Sequence, residues 1–203
     1  AWTGREDIFQ YLLQFDDDLK SKKVRKKCRA FLKYGKETKS KYNAFFCLIT
    51  SDKMASQHKK ECIKQLLESE KKWTKKNKLL YKVDSFKENA LHKAARYGDA
   101  SLMQFLIDIF REAEKNKSTK FASVLESKNK EGDTPLIVAI KSQHPEIVRI
   151  LIRNDADMSV RVKIGKADRS LSLLAFDDGR GDYYTFLEVL KGILYHCKDE
   201  EKR

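Results

Sequence analysis

A pattern of two short apolar helices recurs along this sequence, and it restricts the fold more than any other feature. Asn89, Ala90, Leu91, His92, Lys93, Ala94, Ala95, Arg96, Tyr97, Gly98 and Asp99 open one unit. Thr134, Pro135, Leu136, Ile137, Val138, Ala139 and Ile140 open another. Each is followed by a second apolar stretch, Leu102 to Ile107 and Ile147 to Ile152. Leu91 to Leu106 and Leu136 to Leu151 are both 15 residues apart. A helix pair of this kind cannot bury its apolar faces alone, so it becomes stable only by stacking on its neighbours. With 2 Pro and 8 Gly in 203 residues, the composition suits helices rather than short, turn-rich strands. No run approaches the roughly 18 apolar residues of a membrane span.

The two units resemble the ankyrin repeat, whose signature is T-P-L-H-x-A-A-x-x-G followed by an I-V-x-x-L-L helix. The second ends in Asn154-Asp155-Ala156-Asp157, similar to the family's G-A-D turn. The resemblance is strong over residues 84–158. It implies an all-α, ankyrin-repeat helical solenoid of about four units with an N-terminal helical hairpin cap. It also implies a protein–protein interaction module that acts as a scaffold, without cofactor, metal or catalysis within these residues.

Weaker copies flank the strong ones. Asn43 to Ile49 aligns with Asn89 to Ala95, and Cys62, Ile63, Leu66 and Leu67 give its second helix about six residues late, after an inserted turn through Ser51 to His58. Ser170 to Gly179 aligns by length with the signature; Ala175 keeps an alanine position, and Ser172 replaces the leucine. Phe186, Leu187, Val189, Leu190, Ile193 and Leu194 supply the second helix. The units fall near 42–83, 84–128, 129–164 and 165–197. Their spacing exceeds the usual 33 residues: Phe45 to Leu91 is 46 and Leu91 to Leu136 is 45. The excess predicts lengthened outer helices through Glu68–Tyr81 and Asp108–Phe121. Elongated Lys- and Asn-rich repeats are similar to those of ankyrin effectors that intracellular bacteria inject into host cells, where the host cytosol or nucleus would be the site of action.

Charge is unevenly spread. The net +13 comes from 23 basic and 11 acidic residues in 1–87, against 20 and 19 in 88–203. Lys22, Lys23, Arg25, Lys26, Lys27 and Arg29 form the densest patch. Val24, Cys28, Phe31 and Leu32 thread it as one apolar stripe. Thr3 and Glu6 stand at capping-box spacing, Asp18 reads as an N-cap and Gly35 as a helix stop. Residues 4–15 and 19–34 are therefore expected to form a basic helical hairpin within a cap at 1–41. Such a surface attracts phosphate, anionic lipid or acidic protein. Nucleic acid or anionic membrane is thus the alternative partner, with the repeats as scaffold. Few aromatics interleave the lysines, which argues against sequence-specific reading.

Enzyme chemistry finds little foothold. No GxSxG, HExxH, GxGxxG or GxxxxGK[ST] occurs. The cysteines Cys28, Cys47, Cys62 and Cys197 lack paired spacing and read as reduced thiols of a cytoplasmic protein. Cys47, His58 and Cys62 do not have the short paired spacing of structural zinc sites. The acidic loop Asp177 to Asp182 lacks EF-hand spacing. The chain opens at Ala1 without a signal-peptide pattern, which reads as an excised fragment, and a targeting region of a larger enzyme is a further alternative.

The remaining signature residues have structural roles. Thr134 and Pro135 can start a helix, Gly98 permits a tight turn, and Ala94 and Ala95 allow close helix approach. By the family resemblance, His92 hydrogen-bonds between neighbouring units. The same resemblance places partner binding on the concave face and loop tips: Phe86, Lys93, Arg96, Tyr97, Lys130, Asp133, Lys141 and Ile164. Lys87, Val138, Ser142, Lys163, Lys166 and Asp168 share that surface. The expected partner is a protein with an acidic or polar surface around an apolar anchor.

Overall fold

A computed structural model describes residues 44–51, 55–74, 79–115, 121–164, 167–176 and 183–200. The basic hairpin expected at 4–34, with its Lys22 to Arg29 patch, lies outside them, as does the loop around Asp182. Nine helices occur among the described residues. They are α1 (Ala44–Thr50), α2 (Ser56–Thr74), α3 (Ala90–Tyr97), α4 (Ala100–Lys115), α5 (Phe121–Leu125), α6 (Pro135–Lys141), α7 (Pro145–Arg153), α8 (Leu171–Phe176) and α9 (Tyr183–Glu200). One hairpin, β1 (Val162–Ile164) with β2 (Ala167–Arg169), precedes α8 and pairs antiparallel with Val162 opposite Arg169.

Four helix pairs stack in one direction. The short helices α1, α3, α6 and α8 form an inner row, each packed on the next, and α2, α4, α7 and α9 form an outer row. The inner helices carry small or branched apolar residues because they are enclosed on nearly every side. All of Ala90 to Ala95 is buried, and so is all of Pro135 to Ile140. The outer helices are amphipathic. Leu102, Met103, Leu106, Ile107 and Phe110 face the core, whereas Ser101, Gln104, Asp108 and Arg111 stay exposed.

The 45-residue period is absorbed in two ways. The outer helices of the first two units are long, 19 residues for α2 and 16 for α4, against 9 for α7. Helix α4 does not run on to Phe121 as its periodicity suggests. Its described residues reach Lys115, and Phe121 begins the separate helix α5. Phe121 is buried beside Phe110, with the Arg111 guanidinium 5.5 Å from its ring centroid. Val124 and Leu125 in α5 occupy the period-related positions of Leu79 and Leu80, and all four are buried. The extra length thus seals the core below each long outer helix.

Two turns recur with left-handed backbone. Gly98, after α3, has φ 77°, and Gln143, at the period-related position after α6, has φ 58°. Gly132 (φ 85°) and Lys87 (φ 59°) are the second such pair. At Gly98 a side chain meets a second obstacle, because an added Cβ would lie 2.6 Å from the His144 ring. The His144 Nε2 contacts the Arg96 carbonyl oxygen at 3.2 Å, so the imidazole of one unit closes the turn of the previous one.

These positions make opposite predictions. Gly98→Ala should lower unfolding free energy by about 2–3 kcal/mol, combining left-handed strain with the ring clash. Gln143→Gly should change it by less than about 1 kcal/mol and in the stabilising direction. Urea denaturation of the two variants beside the unaltered protein checks both.

Candidate functional site

The loops preceding α3 and α6 are built alike from one polar residue each. Asp84 Oδ1 accepts from the backbone N–H of Phe86 at 2.8 Å and of Glu88 at 2.9 Å. Asn129 Oδ1, one period later, accepts from Glu131 N–H at 2.9 Å and Asp133 N–H at 3.0 Å. Each side chain folds its loop back on itself, leaving Lys87 or Gly132 at the left-handed corner. The Lys130 N–H donates to the Phe86 carbonyl oxygen at 2.8 Å, so adjacent tips form one continuous edge.

A repeated ion pair joins each loop to its inner helix. The Arg96 guanidinium donates to Glu88, and Lys141 Nζ lies 2.5 Å from Asp133 Oδ2 at the equivalent place. Lys93 adds a buried charge, 2.7 Å from Asp84 Oδ2 and 2.5 Å from Glu88 Oε2. Burial pushes the Glu88 carboxyl upward, but the hydrogen bonds and charges of Lys93 and Arg96 outweigh it and lower its pKa.

This geometry divides the residues expected to bind a partner. Phe86 is 58% exposed and Tyr97 49% exposed, and Lys130 is exposed on the same edge. Arg96 and Lys141 are exposed but held by Glu88 and Asp133. Lys93 and Asp133 were expected at the surface and are buried, because each neutralises a charge inside the loop-to-helix junction. Val138 is buried too, since α6 is covered by neighbouring inner helices. Ile164 lies in β1 opposite Ala167, its side chain outside the described residues. The Asp84 and Asn129 loops escaped sequence reading. Their signal was an Asp or Asn standing 45 residues apart, four residues before the second acid of each loop.

Below the tips, His92 fastens one unit to the next. Its Nδ1 accepts from the Asn89 N–H at 3.3 Å, which leaves Nε2–H to donate to the Asp133 carbonyl oxygen at 3.0 Å. Asn89 caps α3 and donates to the Val124 carbonyl oxygen at 3.0 Å. Burial lowers the His92 pKa against the Asp133 carbonyl and the Glu88 and Asp133 charges, which raise it. Asp99 plays a similar part in the outer row. It takes hydrogen bonds from the Ser56 hydroxyl at 2.6 Å and the Leu102 N–H at 2.9 Å, with Lys59 Nζ at 3.5 Å. Burial opposes this, yet these partners lower its pKa.

Among the described residues no group of three His, Cys, Asp or Glu side chains could hold a metal ion. Cys62 is buried, and burial raises the pKa of the half-buried Cys47 thiol. No helix of the described residues is long and apolar enough to cross a membrane.

The family model for ankyrin repeats matches residues 53–162, in three copies. Among solved structures, the chain is similar to one described as the Bd0816 predatory endopeptidase from Bdellovibrio bacteriovorus in complex with immunity protein Bd3460. The similarity has 21% identity and a TM-score of 0.50, and covers 74% of this chain and 63% of the other. At that identity the match concerns the fold alone. A search among curated proteins finds no match.

Two outcomes test the division between buried and surface charges. Lys93→Ala should destabilise by about 3 kcal/mol, since it leaves the buried Asp84 without its counter-charge and Glu88 with Arg96 alone, whereas Lys130→Ala should stay within about 0.5 kcal/mol. Because the folded pKa of His92 is lowered, the unfolded chain binds its proton more readily. Stability should therefore fall as pH drops below the ordinary histidine value of 6.5. Urea midpoints at neutral and mildly acidic pH should diverge in the unaltered protein and converge in His92→Leu, itself weaker by about 1–3 kcal/mol at neutral pH.

Proposed function

The chain belongs to the ankyrin-repeat family, and from that premise we propose that it recognises a partner protein with the edge formed by its loop tips and inner helices. The observation that carries this reading is Phe86, more than half exposed on a loop held rigid by Asp84 and joined through its carbonyl oxygen to Lys130. A large apolar side chain on a fixed backbone loses little freedom on binding, which is the property of an energetic anchor. Tyr97 adds a second exposed aromatic at the end of α3, and the exposed Lys87 and Lys130 flank Phe86. Such an edge fits a partner that offers an apolar pocket rimmed by acidic or polar groups.

Arg96 and Lys141 already neutralise Glu88 and Asp133, so their contribution is mainly to shape and orientation. Lys130 and Lys87 supply the steering charge. Rim charges of this kind act more on association rate than on final affinity.

The test is affinity capture from a cell lysate with two baits, the unaltered protein and a Phe86→Ala, Tyr97→Ala, Lys130→Ala variant whose fold is verified by circular dichroism. Proteins bound through this edge should be lost from the variant by more than about tenfold. Equal capture by both baits removes the edge from consideration. Capture that vanishes from both baits at raised salt points instead to charge-driven binding of nucleic acid or anionic membrane.

A further inference from the structure

The opposite kind of surface lies at the far end of the stack. Positions on α3 and α6 that the next unit covers are open on α8. His92 and Ile137 are buried, and Leu173 at the same register is 49% exposed. Ala95 and Ile140 are buried, and Phe176 is 67% exposed. The register is fixed by the caps, because Ser170 Oγ accepts from the Leu173 N–H as Thr134 Oγ1 does from Ile137 N–H.

Helix α9 continues the same surface. Thr185, Val189 and Gly192 are buried, and α9 packs on α7 and α8. An added Cβ at Gly192 would lie 2.8 Å from Ile152, so α9 is pressed tightly against α7 on that side. Tyr183, Leu187, Leu190 and Leu194 follow one another at i, i+4, i+7 and i+11, which places them along a different side of the helix. Tyr183 is 66% and Leu194 62% exposed, with Leu187 and Leu190 half-buried between them. On α4 the apolar arc is as wide, but Leu102, Met103, Leu106, Ile107 and Phe110 are all buried. Contact between the Phe176 and Phe186 rings, 5.4 Å apart, ties the α8 and α9 parts of the surface together.

We propose that this α8–α9 face is a self-association surface, on which a second copy of the chain stacks its own α8–α9 face about a twofold axis. The face continues the interface that already joins each unit to the next, so its natural occupant is another helix pair of the same build. A second copy offers such a pair at one place only among the described residues. At the other end of the stack Phe45, Phe46, Leu48 and Ile49 of α1 are all buried, which leaves no matching apolar face there. Of the other exposed large apolar residues among the described ones, Val83, Phe86 and Tyr97 lie at or near the loop tip before α3 and the end of that helix, and Tyr184 and Tyr195 are phenols elsewhere on α9. A face meeting its own copy closes after two molecules, whereas head-to-tail stacking would propagate into filaments. Leu173, Phe176, Tyr183 and Leu194 together expose roughly 400 Å² of apolar surface, taking about 150–250 Å² for a whole aromatic side chain. That is about half of the ~800 Å² each partner commonly buries, a suitable apolar centre for a polar rim. This association is separate from the recognition edge, which lies on the loop tips and the inner-helix ends.

Sedimentation equilibrium of the full chain over a wide concentration range tests the proposal. A reversible monomer–dimer equilibrium with no larger species is expected, and the urea midpoint should rise with protein concentration. Phe176→Arg with Leu194→Arg should weaken the dimer on the order of a hundredfold, because two charges per copy would enter its centre. Tyr195→Ala, at an exposed position beside Arg149 and Arg153 on another side of α9, should leave it unchanged. A chain that stays monomeric throughout overturns the proposal, and so does an open-ended series of oligomers. A dimer indifferent to the double substitution in a variant folded by circular dichroism does the same. Should that variant fail to fold, a concentration-independent urea midpoint in the unaltered protein overturns it equally.

Discussion

The structure depends on the stacking of inner helices, and His92 is where that stacking becomes specific. Apolar burial alone would let α3 and α6 slide past one another. The Nε2–H bond to the Asp133 carbonyl oxygen fixes their offset, because a buried imidazole donor without an acceptor costs about 1–3 kcal/mol. The same residue closes the cap of its own helix through Asn89, whose side chain in turn reaches α5. One side chain therefore joins a cap, a loop and the following unit. The outer row has a looser counterpart in Asp99, which begins α4 while holding Ser56 and Lys59 of α2.

Rigidity at the core makes precise exposure possible at the edge. The Asp84 and Asn129 loops have little apolar content and no strand pairing, so their shape comes from paired backbone bonds to a single side chain. Ion pairs then lock each loop to the helix behind it. The buried Lys93 is the extreme case. Its desolvation is tolerable only because Asp84 and Glu88 approach it together, and it fixes the tip from which Phe86 projects. The recognition edge and the open α8–α9 face differ accordingly. The first is polar with a few aromatic anchors, and the second is a broad apolar surface of the sort found between units.

Much of the fold was legible because its signals are local. The Thr134–Pro135 cap, the Ala94–Ala95 pair and the Gly98 turn each have one cheap solution, and the structure shows each of them. The hydrogen bond of His92 to the next unit follows the family resemblance. The site was only half legible. A lysine at position 93 reads as exposed by its type, and burial became tolerable only through acids five and nine residues away, folded beside it by the Asp84 loop. Helix α5 was missed because Phe110 and Ala113 keep the helical period almost to Lys115, the last described residue of α4. The period cannot show that Phe121 turns back over Phe110.

The sequence by itself determined a stacked helical solenoid, since a repeated amphipathic helix pair can bury its faces only against copies of itself, and its signature residues carried the ankyrin resemblance. It also determined where helices start and where the chain must turn, because caps and left-handed corners depend on near neighbours. Tertiary structure alone decided which charges are spent inside the molecule, which tips align into one edge, and which apolar positions stay open on α8 and α9. Those outcomes depend on what lies across the stack. A residue's exposure is set by its spatial neighbours, and in a solenoid these come from the adjoining unit, 45 residues away in the best-matched pair.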